Sequence, residues 1–442
     1  MFKTLPGFRE FLPEECRRRN FYFSQWRRNS RNYHFQEFDG PVLEPLELYE
    51  EKSGAEIREQ LFCFTDKGGR EVALRPEMTP TLARLVGPRL GALRKPIKWF
   101  SIGEQYRYER YQKGRKRAFY QYNADIIGEA GPAAEVELMA LLIDSLCSFG
   151  LGEKDFAVRL SDRQLWIMYL RGLGIEEAQA TSVLGVVDKL GREPEDVLEQ
   201  KLEPLVGNEA AGLLKKMIAF SRQQSLDGVR EMFRDSGIVM DELESRLENW
   251  NELLQGLQAM GLSSFVQIDL GIVRGLAYYT GFVFEAFDRE KSHRALAGGG
   301  RYDNLLGMLS RKEAPAAGFG MGDVVLEDLL KEKGLLPKWV EETDVYVVGI
   351  TPEERSVVLS AVRALRQVGF SVEYSLTGAS PKKQFKGADE AGGRTLVVIG
   401  PEEREAGQVK VKDSRTRSEK TVSNKEMIAC VHHILRGDPE LD

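Results

Sequence analysis

Arg107 and Glu109 stand two residues apart in a strand-like run from Lys98 to Glu109, a spacing that turns both side chains to one face. Gln121 and Asp125 share a face of the strand predicted to follow, over Phe119 to Ile126. One sheet surface can thus hold a guanidinium, two carboxylates and an amide. Taken alone, Arg-x-Glu is more often a cross-strand ion pair. Between the two strands, however, Arg110, Lys113, Arg115, Lys116 and Arg117 make a basic loop, and residues 101–120 hold six cations against Glu104 and Glu109. Such a loop supplies charge-assisted hydrogen bonds to phosphate, so it suits a nucleotide or a tRNA end.

Other chemistries are poorly supplied. The four cysteines form no CxxC pair, and the histidines are His34, His293, His432 and His433. A structural zinc site has little to be built from, a histidine general base is disfavoured, and no metal ligand set is assigned. Carboxylates, tyrosines and arginines must carry any reaction. The net charge of -6 opposes indiscriminate attraction to nucleic acid, so any such contact must be local. A hydrophobic fraction of 42% and a charged fraction of 29% are those of a folded globular chain. No apolar run reaches the roughly 20 residues of a membrane span, and no signal peptide is legible, so a cytoplasmic protein is expected.

The elements that must position these groups fall into segments. The first part of a mixed core, 1–161, begins with a basic segment from Arg17 to Arg31, with aromatic residues within and just after it, whose charged face is either solvated or set against phosphate. Pro41-Val42-Leu43-Glu44-Pro45 reads as an edge strand or interface segment, because two prolines remove amide donors. Leu74-Arg75-Pro76-Glu77-Met78-Thr79 puts polar groups at a strand's end. Val136, Met139, Leu142, Ile143 and Leu146 recur at helical spacing. Residues 162–260 read as a helical insertion, after which strand signals at Val266 to Leu270 and Gly281 to Phe287, the run Gly298-Gly299-Gly300 and a helix from Asp323 complete the core over 261–336. The glycine run by itself is compatible with a tight turn. Beyond a linker near Pro337, residues 343–442 alternate strands and helices as a small three-layer α/β domain, with Thr351-Pro352-Glu353-Glu354 as a helix start.

Arg107-Tyr108-Glu109 with its basic loop resembles motif 2 of the class II aminoacyl-tRNA synthetases. Together with Leu74-Arg75-Pro76-Glu77-Met78-Thr79, Arg274-Gly275-Leu276-Ala277-Tyr278-Tyr279-Thr280-Gly281 and Gly298-Gly299-Gly300-Arg301-Tyr302-Asp303, in this order along nearly the whole chain, it is similar to the histidyl-tRNA synthetase family. The resemblance implies an α+β fold: an antiparallel sheet flanked by helices, a helical insertion and a C-terminal α/β anticodon-binding domain. It implies a homodimer, from the likeness of the Pro41 to Pro45 region to motif 1. It implies ATP with Mg2+, histidine and tRNA(His) as reactants, and a histidyl-adenylate between them.

By the same resemblance Arg107 and Arg274 flank the α-phosphate. Glu109 meets the adenine amino group, Phe119 stacks on adenine, Arg115 reaches the outer phosphates, and Gly298, Gly299 and Gly300 let the backbone approach the nucleotide. Glu77, Thr79 and Gln121 hold the α-ammonium group of histidine, with Asp125, Tyr278 and Tyr279 toward the imidazole. Three positions depart from the family: Asp125 where Glu is common, Ala277 where Asp is usual, and Val325 in place of the motif 3 arginine, a γ-phosphate ligand. These departures favour an alternative, a non-charging histidine-sensing or regulatory paralogue of the kind that serves ATP phosphoribosyltransferase. Such relatives usually lack the C-terminal domain, which this chain carries in Ser375-Leu376-Thr377-Gly378-Ala379-Ser380 and the basic residues after it. A generic nucleic-acid-binding α/β protein is a third reading, separable by its lack of amino-acid dependence.

Overall fold

Alternation along the strand Ala118–Ile127 decides what each face of the main sheet does. Tyr122, Ala124 and Ile126 point into the hydrophobic core, and Gln121, Asn123 and Asp125 point the other way, toward a cavity. In the computed structural model, residues 2–53, 55–109, 114–234, 240–273, 278–290, 292–338 and 343–436 are described, with the backbone alone at 53, 55, 56, 177 and 178. They form two compact units, 1–336 and 337–442.

The eight-stranded sheet of the first unit runs, edge to edge, Gln36–Glu37, Ile97–Tyr106, Ala118–Ile127, Ala316–Gly322, Ala297–Arg301, Phe282–Asp288, Phe156–Asp162 and Val266–Ile268. Its six long strands are antiparallel, and only the two short edge strands pair parallel with their neighbours. Helix Ala133–Cys147 covers the core face; Leu138, Met139, Leu141, Leu142, Ile143 and Leu146 are fully buried, so it is apolar nearly all round, as a helix packed on several sides must be. Truncating one such leucine to alanine costs about 2–5 kcal/mol. Helices Pro13–Asn32 and Met240–Ala259 pack on its outer side. The first brings Trp26 to stack on Tyr122, with ring centroids 5.5 Å apart.

The expected insertion is helical from Arg163–Gly172 to Met240–Ala259. Asp162, buried at the end of its strand, fixes where it begins and ends. One carboxylate oxygen caps helix Arg163–Gly172 at the Gln164 amide (2.9 Å). The other accepts from Arg246 Nε (2.6 Å) and Trp250 Nε1 (2.8 Å) on the returning helix. Leu43–Pro45 is an edge strand, as its prolines predict, in a separate three-stranded sheet with Cys63–Thr65 and Glu71–Leu74.

The strand expected to reach Glu109 stops at Tyr106. Arg107 N still donates to Arg117 O (2.8 Å), but Tyr108 N turns to Gln60 O (2.9 Å), so the chain leaves its partner before Glu109. The glycine run is no turn either: Ala297–Arg301 is a fully buried strand between two others.

The second unit has the sheet order Val372–Tyr374, Val345–Gly349, Thr395–Ile399, Gln408–Asp413, Glu419–Ser423. Helices Arg355–Gln367 and Met427–Arg436 pack on one face through Val358, Leu365 and Val431. Helix Pro381–Glu390 packs on the other through Ala388, which makes the three layers. Thr351 and Glu354 form the expected capping box, and Gly369, at φ +96°, follows the helix end. A short helix, Pro401–Ala406, was not legible in the sequence.

Candidate active site

Two cavities open on the face of the sheet opposite helix Ala133–Cys147, and Arg107 lines both. The smaller, about 70 Å³, is bounded by Glu77, Thr79, Gln121, Asn123, Asp125, Tyr278, Tyr279, Gly298 and Tyr302. Residues from distant stretches meet here because the strand order brings the 118–127, 316–322 and 297–301 segments side by side.

Its chemistry is that of an acceptor-rich pocket. Gln121 Oε1 and Asn123 Oδ1 are buried without a hydrogen-bond partner among the described residues, and an ammonium group could satisfy both. Glu77 is ion-paired with Lys52 (2.5 Å), whose side chain is 1% exposed and whose ammonium lies 4.0 Å from the Tyr278 ring centroid. Thr79 begins helix Thr79–Val86. Asp125 accepts a hydrogen bond from Tyr302 Oη (2.5 Å); burial pushes its carboxyl up to about 7, the tyrosine bond opposing that shift. Burial and the facing Asp125 charge push the Tyr302 phenol far up, so it remains a donor. Tyr278 and Tyr279 lie together, their centroids 4.8 Å apart.

Small residues on the neighbouring strand make room for these groups. A methyl group on Gly318 would lie 2.0 Å from Asp125 Oδ1, and one on Gly320 2.6 Å from Gln121 Nε2. The Gly298 to Gly300 run divides differently from expectation. Gly298 borders the small cavity, while a methyl on Gly299 would strike Gly318 O at 2.3 Å and one on Gly300 Phe282 O at 2.6 Å. Neither Gly299 nor Gly300 lines the larger chamber; their smallness serves close strand contact.

The larger chamber, about 550 Å³, is lined by Arg107, Gly114, Arg115, Lys116, Phe119, Val324, Val325 and, from farther along the chain, Arg192, Glu285 and Arg294. Arg107 Nε donates to Pro76 O (3.1 Å), and its guanidinium lies 5.2 Å from the Phe119 ring centroid. Glu109 and Arg115 are ion-paired with each other. Asp323, buried at the start of helix Asp323–Glu332, accepts from Arg9 (2.8 Å) and from Tyr120 N (3.0 Å); burial raises its carboxyl to about 6 against these two bonds. It ties the N-terminal segment to the rim of the chamber.

The structure therefore gathers Glu77, Thr79, Arg107, Gln121, Asp125, Tyr278 and Tyr279 in one cavity and Arg107, Arg115 and Phe119 in the next. Arg274 and Ala277 lie outside the described residues. Sequence reasoning passed over Lys52, Asn123, Tyr302, Arg192 and Arg294. Alternation between Gln121 and Asp125 would have found Asn123; nothing local marks Lys52.

The profile described as histidyl-tRNA synthetase matches residues 7–323, and that of an anticodon binding domain matches residues 344–433. A histidine–tRNA ligase of Opitutus terrae is 49% identical over 437 residues, covering 99% of both chains. The chloroplastic/mitochondrial histidine–tRNA ligase of Arabidopsis thaliana is 38% identical over 92% of this chain and 82% of its own. In fold, the chain is similar to the histidyl-tRNA synthetase from Nostoc sp. PCC 7120, with a TM-score of 0.79, 24% identity and coverage of 99% and 100%. It is also similar to an ATP phosphoribosyltransferase regulatory subunit/histidyl-tRNA synthetase from Bacillus halodurans, with a TM-score of 0.72, 23% identity and coverage of 90% and 98%. At these identities the structural likenesses speak for the fold alone, whereas the sequence matches run through both units, and by them the chain belongs to the histidyl-tRNA synthetase family.

Proposed function

We propose that this chain carries out the ATP-dependent ligation of histidine to tRNA(His) in the two adjoining cavities, the smaller taking the amino acid and the larger the nucleotide. The observation that carries this reading is the position of Arg107, which borders both. There the histidine carboxylate meets the α-phosphate.

In the first step a carboxylate oxygen bonds to the α-phosphorus while the bond to the β-phosphate oxygen breaks, giving histidyl-adenylate and pyrophosphate. Negative charge on the equatorial oxygens is stabilised by Arg107, held ready by Pro76 O, and by Arg274. Glu77, Thr79 and Gln121 receive the α-ammonium group, with Lys52 orienting Glu77. Asp125 accepts an imidazole N–H while Tyr278 and Tyr279 bound the ring. An apolar isostere would leave these buried groups unpaired. Phe119 stacks on adenine. The Glu109–Arg115 pair opens on ATP entry, Glu109 turning to the adenine amino group and Arg115 to the phosphates. The 2'- or 3'-hydroxyl of the terminal adenosine of tRNA then attacks the acyl carbon, its proton passing to a phosphate oxygen of the adenylate as AMP leaves; no protein nucleophile is needed.

Mg2+ fits a chamber of this kind. Among the described residues no three His, Cys, Asp or Glu cluster as a metal cage, and Mg2+ characteristically relies on phosphate oxygens with one or two carboxylates, for which Glu285 is placed. When bound it neutralises phosphate charge. Exposed Val42, Leu43 and Phe64 on the three-stranded sheet favour pairing with a second copy of the chain. No helix among the described residues is long and apolar enough to cross a membrane, and the tRNA substrate favours a cytoplasmic location.

Histidine-dependent exchange of pyrophosphate into ATP, followed by charging of total tRNA with each of the twenty amino acids, tests the reading. Exchange and charging with histidine alone are expected. A chain that binds histidine yet gives no exchange would instead be the regulatory paralogue.

A further inference from the structure

The nucleotide chamber is more cationic than its motif 2 residues account for. Besides Arg107, Arg115 and Lys116, its described lining includes Arg192, from the helical insertion, and Arg294, from the segment before strand Ala297–Arg301; Glu285 is the single carboxylate in that lining. Five cations around one carboxylate make a site for a polyanion.

Arg294 stands beside the position where charge is missing. Val325 is buried and apolar, and a methyl group on Gly114 would lie 3.5 Å from Val325 Cγ2 and 3.6 and 3.7 Å from Arg294 Cδ and Cγ. The stem of Arg294 and the Val325 side chain therefore converge on one point of the basic loop, and both residues line the chamber. Burial, then the charges of Arg115 and Arg192, push the Arg294 guanidinium below its usual range, with Glu109 opposing. The like charges that bear on Arg294 are offset by an anion placed among them.

The backbone that carries Arg294 is anchored on both sides. Asp288 accepts from Ser292 N (2.9 Å), Ser292 Oγ (3.0 Å) and His293 N (3.1 Å), while strand pairing begins at Ala297. The His293 ring is packed beside Glu332, 3.4 Å from Nε2. Arg294 thus projects from a fixed stretch, as a preorganised charge must. Arg192 is held more loosely, 3.6 Å from the Asp188 carboxylate four residues before it, in the turn after helix Glu177–Val187.

We propose that Arg294, assisted by Arg192, binds the terminal phosphates of ATP in this chain, supplying from another strand connection the charge that Val325 does not. The proposal rests on the assignment of this chamber to ATP.

The native chain is first assayed for histidine-dependent pyrophosphate exchange; silence there would sink the ATP assignment itself. With an active native chain, Arg294→Ala is expected to raise KM for ATP, and to weaken inorganic pyrophosphate binding measured by calorimetry, about 10- to 100-fold. KM for histidine and the melting temperature should stay close to native, and Arg294→Lys should recover part of the loss. Arg192→Ala should shift the same two quantities by a smaller factor. Should Arg294→Ala not fold, Arg294→Gln is read in the same way. ATP KM and pyrophosphate affinity within twofold of native would overturn the proposal, as would an equal loss for histidine and ATP.

Discussion

A carboxyl group sealed from water resists ionisation, and Asp125 is sealed by the glycine strand on one side and Tyr302 on the other. Its pKa is raised from 3.8 to about 7. A carboxyl raised in this way contributes stability that is fully present below pH 3.8 and is lost as pH rises through about 7. Asp125→Asn removes the titration, so the variant's stability relative to native should climb between pH 4 and pH 8, by a few kcal/mol as an order of magnitude. Denaturant melts across that range would show it; a constant difference refutes the linkage. The same variant should lose histidine affinity, because a neutral amide replaces a charge-assisted acceptor. Arg107→Ala should reduce pyrophosphate exchange about 100- to 1000-fold with little change in melting temperature, since among the described residues the side chain makes one hydrogen bond, to Pro76 O. Equal activity in the variant would remove Arg107 from the reaction.

Elements act here by spacing side chains. Strand Ala118–Ile127 works on both faces because period-two alternation separates Tyr122, Ala124 and Ile126 from Gln121, Asn123 and Asp125. Its neighbour Ala316–Gly322 contributes absence of bulk. Gly318→Ala would place a carbon 2.0 Å from Asp125 Oδ1 and displace that carboxylate. We expect KM for histidine to rise at least about 10-fold, with KM for ATP nearly unchanged, in steady-state exchange assays. A parallel rise in both would point to general damage. The clasp at Asp162 is a structural counterpart. Asp162→Ala strands a part-buried guanidinium and a buried indole N–H, and should cost about 3 kcal/mol in chemical denaturation. A loss below about 1 kcal/mol would show that helix Met240–Ala259 is held chiefly by apolar packing.

At the scale of the molecule, the division at residue 336 separates the two cavities from the C-terminal α/β unit. The residues proposed for adenylate formation all belong to the first unit. Residues 1–336 expressed by themselves should therefore retain histidine-dependent pyrophosphate exchange within about tenfold of the full chain, while charging of tRNA(His) falls much further because the anticodon-binding unit is gone. Loss of exchange and charging together would show that the second unit supports the first. In the sequence, Pro337 and the charged residues after it interrupt one hydrophobic pattern before Val345 begins another.

Taken without coordinates, the chain specifies the helix Ala133–Cys147 and the capping box at Thr351 and names candidates for the pocket, because periodicity, capping and motif spacing are local properties written in consecutive residues. Strand order, in contrast, joins residues hundreds of positions apart and leaves no local trace. Only the folded sheet shows Tyr302 donating to Asp125, Lys52 beside the Tyr278 ring, and Arg294 and Val325 both next to Gly114. The glycine run demonstrates the same limit: smallness was readable at 298–300, but whether it admitted a ligand or a neighbouring strand depended on what packed against it.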